Sequence, residues 1–188
     1  MKCKKLALLL AGLAVVSSTA FAANTPYGLL NSSNEESYDK VLVYQALDMN
    51  YYRYINDTYH YALDIPTYVN KADVNEGGDG CYFQNLNDKI VVSTYAVKNQ
   101  MNFTLDELYN MDVGINGSPK LTINQKTGNH YTISWTKDDK YFYKELYLVP
   151  DTNTYVAFSF VCPAKNAKKY QKDIFHMSQS FTPSGAVI

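Results

Sequence analysis

Histidine is the first scarcity: a chain of 188 residues holds three, His60, His130 and His176, each alone in its segment. No H-E-x-x-H, no i, i+4 histidine pair and no C-x-x-C spacing occurs, so the usual zinc ligands do not come together along the chain. G-x-S-x-G and a phosphate-cradling glycine loop are also missing, which removes the sequence signatures of α/β-hydrolases and nucleotide-binding loops. A Ser, His and Asp set would have to assemble from distant positions, and nothing in the sequence favours it. Basic blocks of the kind that grip phosphate backbones are absent, so there is no electrostatic footprint for nucleic acid. These absences predict no catalytic residues, no metal ligands and no cofactor.

Long apolar runs are scarce as well. The single candidate, Leu6 to Val16, follows Lys2, Lys4 and Lys5 and precedes Ala20-Phe21-Ala22. A basic start, a short apolar stretch and an A-x-A site read as a secretory signal over residues 1–22, and the run is too short to span a bilayer comfortably. Cys3 lies in the basic segment and leaves with the signal, which argues against a lipoprotein. The expectation is an exported protein, in the periplasm, cell envelope or outside the cell, with no transmembrane segment after cleavage. Removing the signal and its three lysines from 17 basic and 18 acidic side chains leaves 14 against 18, a formal net charge of −4.

Two cysteines then remain, Cys81 and Cys162. An even pair in an oxidising compartment predicts a disulfide, and a loop this long would contribute on the order of 4 kcal/mol. The alternative is two small buried hydrophobes that never meet.

Tyrosine, by contrast, is plentiful, with 18 in the chain. Residues 23–39 are Asn-, Ser- and Glu-rich and read as a flexible leader; 40–183 reads as one domain and 184–188 as a tail. Lys40 to Leu47 is a strand or a short helix. Asn50 to Ile65 is two aromatic-rich runs around the turn pair Asn56-Asp57, hence a hairpin. Cys81 to Gln84 and Lys89 to Val97 pair across a polar connection. Thr104-Leu105-Asp106-Glu107 is a capping box that opens a short helix. Lys120 to Gln125, His130 to Thr136, Lys140 to Val149 and Thr154 to Cys162 are strands joined by turns too short for crossover helices. In His130 to Thr136 the apolar Tyr131, Ile133 and Trp135 alternate with Thr132, Ser134 and Thr136, which predicts one buried and one wetter face. After Pro163, the residues Ala167, Tyr170, Ile174, Met177 and Phe181 form one helical stripe, with Lys165, Lys168, Lys169 and Lys172 on its solvated side. The fold class is therefore α+β: a mostly antiparallel meander sheet of five to seven strands, a short inserted helix, and a C-terminal helix packed on one face. An up-and-down barrel with the last helix outside is the alternative.

Two stretches offer binding chemistry. The loop from Thr67 to Gly80 places Asp73, Asn75 and Asp79 among crowded glycines, where the backbone needs unusual dihedrals. Its oxygens alternate as in a calcium loop, but Gly77 and Gln84 stand where the EF-hand pattern needs ligands, so it reads as a glycine turn. Tyr52 with Tyr54, and Tyr59 with Tyr61, share faces of an extended segment, and with Tyr51 they form either a partly exposed recognition patch or core beneath the last helix.

The order of these signals resembles a family. A strand ending Asp64-Ile65-Pro66, a loop closing on Gly78-Asp79-Gly80, the Thr104 to Tyr109 helix start, the pair Tyr131 to Trp135 and Tyr141 to Lys144, then Phe158 to Pro163 and a helix ending Ser180-Phe181 are together similar to the PsbP-like superfamily of small exported proteins, over roughly Tyr51 to Pro183. The resemblance implies a sheet with helices on its faces and a noncatalytic role in binding a larger partner, such as a photosystem, a small GTPase or a membrane assembly. Cys162 departs from it, standing where an aromatic is expected, which suggests a disulfide particular to this branch. The leading expectation is thus an exported binding domain for a protein or cell-envelope component, using its sheet face or the Thr67 to Gly80 loop. A small secreted hydrolase and a small-ligand carrier are the alternatives.

Overall fold

A computed structural model describes residues 39–43, 50–75 and 77–185. The signal over 1–22, the leader up to residue 38 and the last three residues of the tail lie outside the described residues. Asp39–Val43 (β1), Tyr51–Asn56 (β2) and Tyr61–Pro66 (β3) form a small antiparallel sheet in the order β1-β2-β3. The large sheet contains Lys71–Val74 (β4), Gly80–Asn85 (β5), Ile90–Lys98 (β6), Leu121–Thr127 (β7), His130–Lys137 (β8), Lys140–Val149 (β9) and Thr154–Pro163 (β10). Its seven strands run antiparallel in the order β4-β5-β6-β10-β9-β8-β7. Leu105–Ile115 (α1) and Ala167–Ser180 (α2) complete the α+β fold. Among the described residues no helix is long and apolar enough to cross a membrane.

Two meanders make up the large sheet, and the pairing of β6 with β10 joins them. The turns supply the local reason for the meanders: Asp138 and Asp139 both take positive φ between β8 and β9, the arrangement a tight hairpin of matching twist requires. β10 is central, with β6 on one side and β9 on the other. Val156, Phe158, Phe160 and Cys162 on one of its faces are at most 1% exposed. They meet Tyr170, Ile174 and Met177 of α2 and Tyr54, Tyr61, Leu63 and Ile65 of the small sheet in one core. The opposite face holds a second core, with Tyr131, Ile133 and Trp135 of β8 against Phe103 and Leu108.

The tyrosine-rich hairpin does not extend the large sheet. The outer edge of β3 is instead met by the second residue after α2: Ala62 and Thr182 exchange two backbone hydrogen bonds of 2.9 Å each. With α2 against it, every residue of β3 is buried. The face of β8 predicted to be wetter is enclosed at Thr132 and Ser134, and only Thr136 stays exposed. Ser134 is fully buried, its hydroxyl oxygen accepting from the Ile123 N–H, and Thr132 is buried beside the α2-side cluster around Glu145.

Cys81 and Cys162 are buried in the α2-side core and form no disulfide, which overturns the expected one. They share a face but not a neighbourhood. Cys81 pairs with Thr94 and Thr94 with Phe158, so Cys162 lies two strands away and four residues further along β10. That is about 10 Å across and about 13 Å along the sheet, against the ~6 Å between Cα atoms that a disulfide spans. Burial pushes the Cys162 thiol up to about 11, so it remains a protonated small hydrophobe.

Candidate functional site

Helix α1 covers only part of its face of the large sheet. Its start is set by the capping box: the Thr104 hydroxyl accepts from the Glu107 N–H at 3.2 Å, and the Glu107 carboxylate accepts from the Thr104 N–H at 3.0 Å, which satisfies two orphan donors. The approach to it is clamped by Asn99, whose amide donates to the Phe103 carbonyl and accepts from the Phe103 N–H. Leu108 and the half-buried Leu105, Tyr109 and Met111 then pack over β8 and its neighbours.

One register row runs across all seven strands of this face: Asp73, Tyr82, Ser93, Ser159, Lys144, Ile133 and Asn124 are successive partners. At its middle, beneath α1, Lys144 reaches both carboxylate oxygens of Asp112 at 2.7 and 2.6 Å, and the Tyr131 hydroxyl donates to the same carboxylate. All three residues are buried. Burial alone would lower the Lys144 pKa, but the Asp112 charge together with Tyr95 and the hydrogen bonds to both outweighs it and the net direction is upward, so the ammonium is held charged. The Lys144 ammonium also lies 5.3 Å from the centre of the Tyr95 ring, whose hydroxyl pKa is raised by burial first. This cluster marks the flank of α1.

Beyond that flank no described element covers the sheet. Tyr82 and Gln84 on β5, Val91 and Ser93 on β6, and Ser159 and Val161 on β10 are each only half-buried. Tyr82, Val91 and Val161 pack into neither core. Ser93 and Ser159 share one hydrogen bond of 2.7 Å between their hydroxyls. The six side chains form a flat surface three strands wide, about 10 Å, with an aromatic ring, two valines and neutral polar groups but no charge. Asp73 borders it on the edge strand and is exposed. The step up onto α1 forms its other border. Such a surface presents shape, apolar area and hydrogen-bonding groups; it holds no acid–base pair.

Distant Ser, His and Asp side chains do gather at one other place. His176 Nε2 lies 2.9 Å from Asp64, and Ser180 is one helical turn further along α2. The Ser180 Oγ, however, donates to the Met177 carbonyl and accepts from the Asp64 N–H. Asp64 is paired to Arg53 at 2.8 Å, and the His176 ring is stacked on Tyr51 at 3.7 Å. The hydroxyl is therefore not presented to the imidazole as a nucleophile–base pair requires. The network ties α2 to the small sheet, helped by the Tyr51 and Tyr68 hydroxyls, which donate to Asp173.

The residues singled out from sequence divide in the same way. Tyr54 and Tyr61 are fully buried, and with Tyr51 three of the five rings lie in the core; packing of the hairpin onto the large sheet withdraws them from any surface patch. Tyr52 and Tyr59 stay half-exposed. Asn75 and Asp79 are joined to each other, the Asn75 amide donating to the Asp79 carboxylate at 3.0 Å. Their loop is fastened from below, since Asn56 donates to the Gly78 carbonyl and the Tyr61 hydroxyl to the Asp79 carbonyl. Asp73 alone reaches the open face.

No family model matches this sequence, and a search of curated proteins returns no match. Among solved structures it is similar to the solution structure of cyanobacterial PsbP (CyanoP) from Synechocystis sp. PCC 6803, with a TM-score of 0.51 over 81% of this chain and 98% of that one. The two are 13% identical. The fold is PsbP-like. Within the PsbP-like fold the open half-face is a product of strand order and helix length. α1 is 11 residues long, about 16 Å, and cannot cover a seven-stranded sheet. The sequence reasoning missed Tyr82, Ser93, Ser159, Asp112 and Lys144; its available signal was the small polar serine set among alternating apolar residues in both β6 and β10.

Proposed function

We propose that this chain is an exported, noncatalytic interaction domain, and that it holds a protein or cell-envelope partner on the open half-face beside α1. The observation that carries this reading is the group of six half-buried side chains around the Ser93–Ser159 pair, left uncovered on an otherwise two-faced sheet. A flat, uncharged surface with a tyrosine at its edge suits a protein partner, because interface centres are depleted in charge and enriched in aromatic rings. The polar clusters elsewhere support the same reading, since Asp64, Asp112 and Glu145 are each hydrogen-bonded within the fold. The PsbP-like fold supports it as well.

The test is site-specific photo-crosslinking in the producing cell. A crosslinking residue at Tyr82 or Val161 is expected to give a discrete product that the same residue at the far-edge Gln125 does not. Adding Ser159→Arg should abolish the product. Identical products from Tyr82 and Gln125, or none from either open-face position, would sink the assignment.

A further inference from the structure

Helix α2 carries a second surface, on the opposite side of the large sheet from the open half-face. Its inner stripe, Tyr170, Ile174 and Met177, is buried. On its outer side Lys168, Lys172 and Phe175 follow one another at helical spacing, flanked by Lys165 and Lys169, and all five are exposed. Phe175 is 66% exposed, more than Leu86 or Ile115, the other exposed large apolar side chains among the described residues. Lys165, Lys168 and Lys172 make no ion pair among the described residues, and Lys169 turns to the Tyr170 hydroxyl. The one carboxylate on α2, Asp173, has its two oxygens taken by the Tyr51 and Tyr68 hydroxyls. Four positive charges thus stand around a protruding phenyl ring, in a chain whose remaining charges are 13 basic against 17 acidic once these four lysines and Asp173 are set aside from 17 and 18.

We infer that this face of α2 docks on an anionic phospholipid surface. The charge pattern selects the occupant. Lysine is depleted at protein–protein interfaces, because its strongly hydrated ammonium resists burial. At an anionic bilayer each lysine stays hydrated among the headgroups and gains attraction worth about a fivefold increase in partitioning, equivalent to ~1 kcal/mol. A single ring at the same level enters the acyl boundary, as aromatic side chains on interfacial helices do. Contact made this way leaves the buried stripe of α2 in place. It also points the open half-face of the large sheet away from the bilayer, since α2 and α1 lie on opposite faces.

The experiment is cosedimentation of the protein, as purified from an exporting host, with phosphatidylcholine vesicles containing 30% phosphatidylglycerol and with pure phosphatidylcholine vesicles. Binding is expected to the anionic vesicles only and to fall at least tenfold between 0.05 and 0.5 M salt, where screening shortens the reach of the lysines. Lys168→Gln with Lys172→Gln should weaken it roughly 25-fold, two lysines at about fivefold each, and Phe175→Ala should weaken it several-fold. All these positions are exposed, so the variants keep the fold, which an unchanged thermal midpoint verifies. Equal binding to both vesicle types, or an undiminished affinity in the double lysine variant, would overturn the inference. So would absence of binding to the anionic vesicles, even if an acidic protein captured the same face. None of these outcomes bears on crosslinking from Tyr82, so the two readings fail separately.

Discussion

The buried pair between Lys144 and Asp112 allows the sharpest test of how α1 is held. Both side chains are under 10% exposed and the ammonium touches both carboxylate oxygens at 2.7 Å or less. Asp112→Ala leaves a buried ammonium without its counter-charge and takes the acceptor from the Tyr131 hydroxyl. Removing one member of a buried pair costs about 3–5 kcal/mol, a large share of the ~5–15 kcal/mol that holds a domain together. Replacing both, Lys144→Met with Asp112→Ala, removes the charges together and should recover much of that loss, because the desolvation penalty goes with them. The coupling in the double-mutant cycle is therefore expected to exceed about 2 kcal/mol. Urea unfolding followed by tryptophan fluorescence measures it directly, since Trp135 is the only tryptophan and is 4% exposed in the core under α1. At an m-value of about 2 kcal/mol/M the single variant's midpoint should fall by about 2 M. A loss below about 1 kcal/mol for Asp112→Ala, or additive single effects, would refute the claim that the pair anchors the helix.

Three further outcomes follow from the same structure. Burial, the largest cause in each, raises the hydroxyls of Tyr95, Tyr131 and Tyr143, and takes Tyr147 and Tyr155 up to about 12; Lys144 is raised as well. A raised folded-state pKa contributes stability that is complete below the unfolded value near 10 and lost as pH rises through the folded one, so tyrosinate absorbance at 295 nm should appear together with loss of near-UV dichroism above about pH 10; a smooth titration with dichroism intact would contradict this. Cys81 and Cys162 should give the same intact mass with and without reductant and stay inert to a thiol reagent until denaturant is added. Gly80→Ala would set a methyl 2.0 Å from the Thr94 carbonyl oxygen, and such overpacking against backbone costs roughly 3 kcal/mol; a thermal midpoint within a degree of the parent would show that the β5–β6 approach relaxes more easily than its geometry indicates.

Much of the fold was legible because its rules are local. The capping box at Thr104, the aspartate turn between β8 and β9 and the helical stripe from Ala167 to Phe181 depend on residues within one or two turns of each other, and each element formed within two or three residues of its predicted position. The tyrosine hairpin was also legible as a hairpin, but its separation into a second sheet was not, because that depends on Thr182 meeting the edge of β3 from 120 positions away. The disulfide failed for a related reason. Compartment and parity describe opportunity, whereas pairing needs register, and the register places β6 between the two cysteines.

What the sequence alone determined is both helices, most of the strands and the inward faces of α2, β8 and β10, since periodicity and capping act over a few residues; β4, Lys71–Val74, lay within the stretch read as a loop, and β1 was left open between strand and helix. The strand order, the burial of Tyr54 and Tyr61, the Lys144–Asp112 contact and the open half-face around Ser93 and Ser159 were decided only by the tertiary structure. Each of these requires residues tens of positions apart to share a row of the sheet or the flank of a helix, and no spacing along the chain encodes which strands become neighbours.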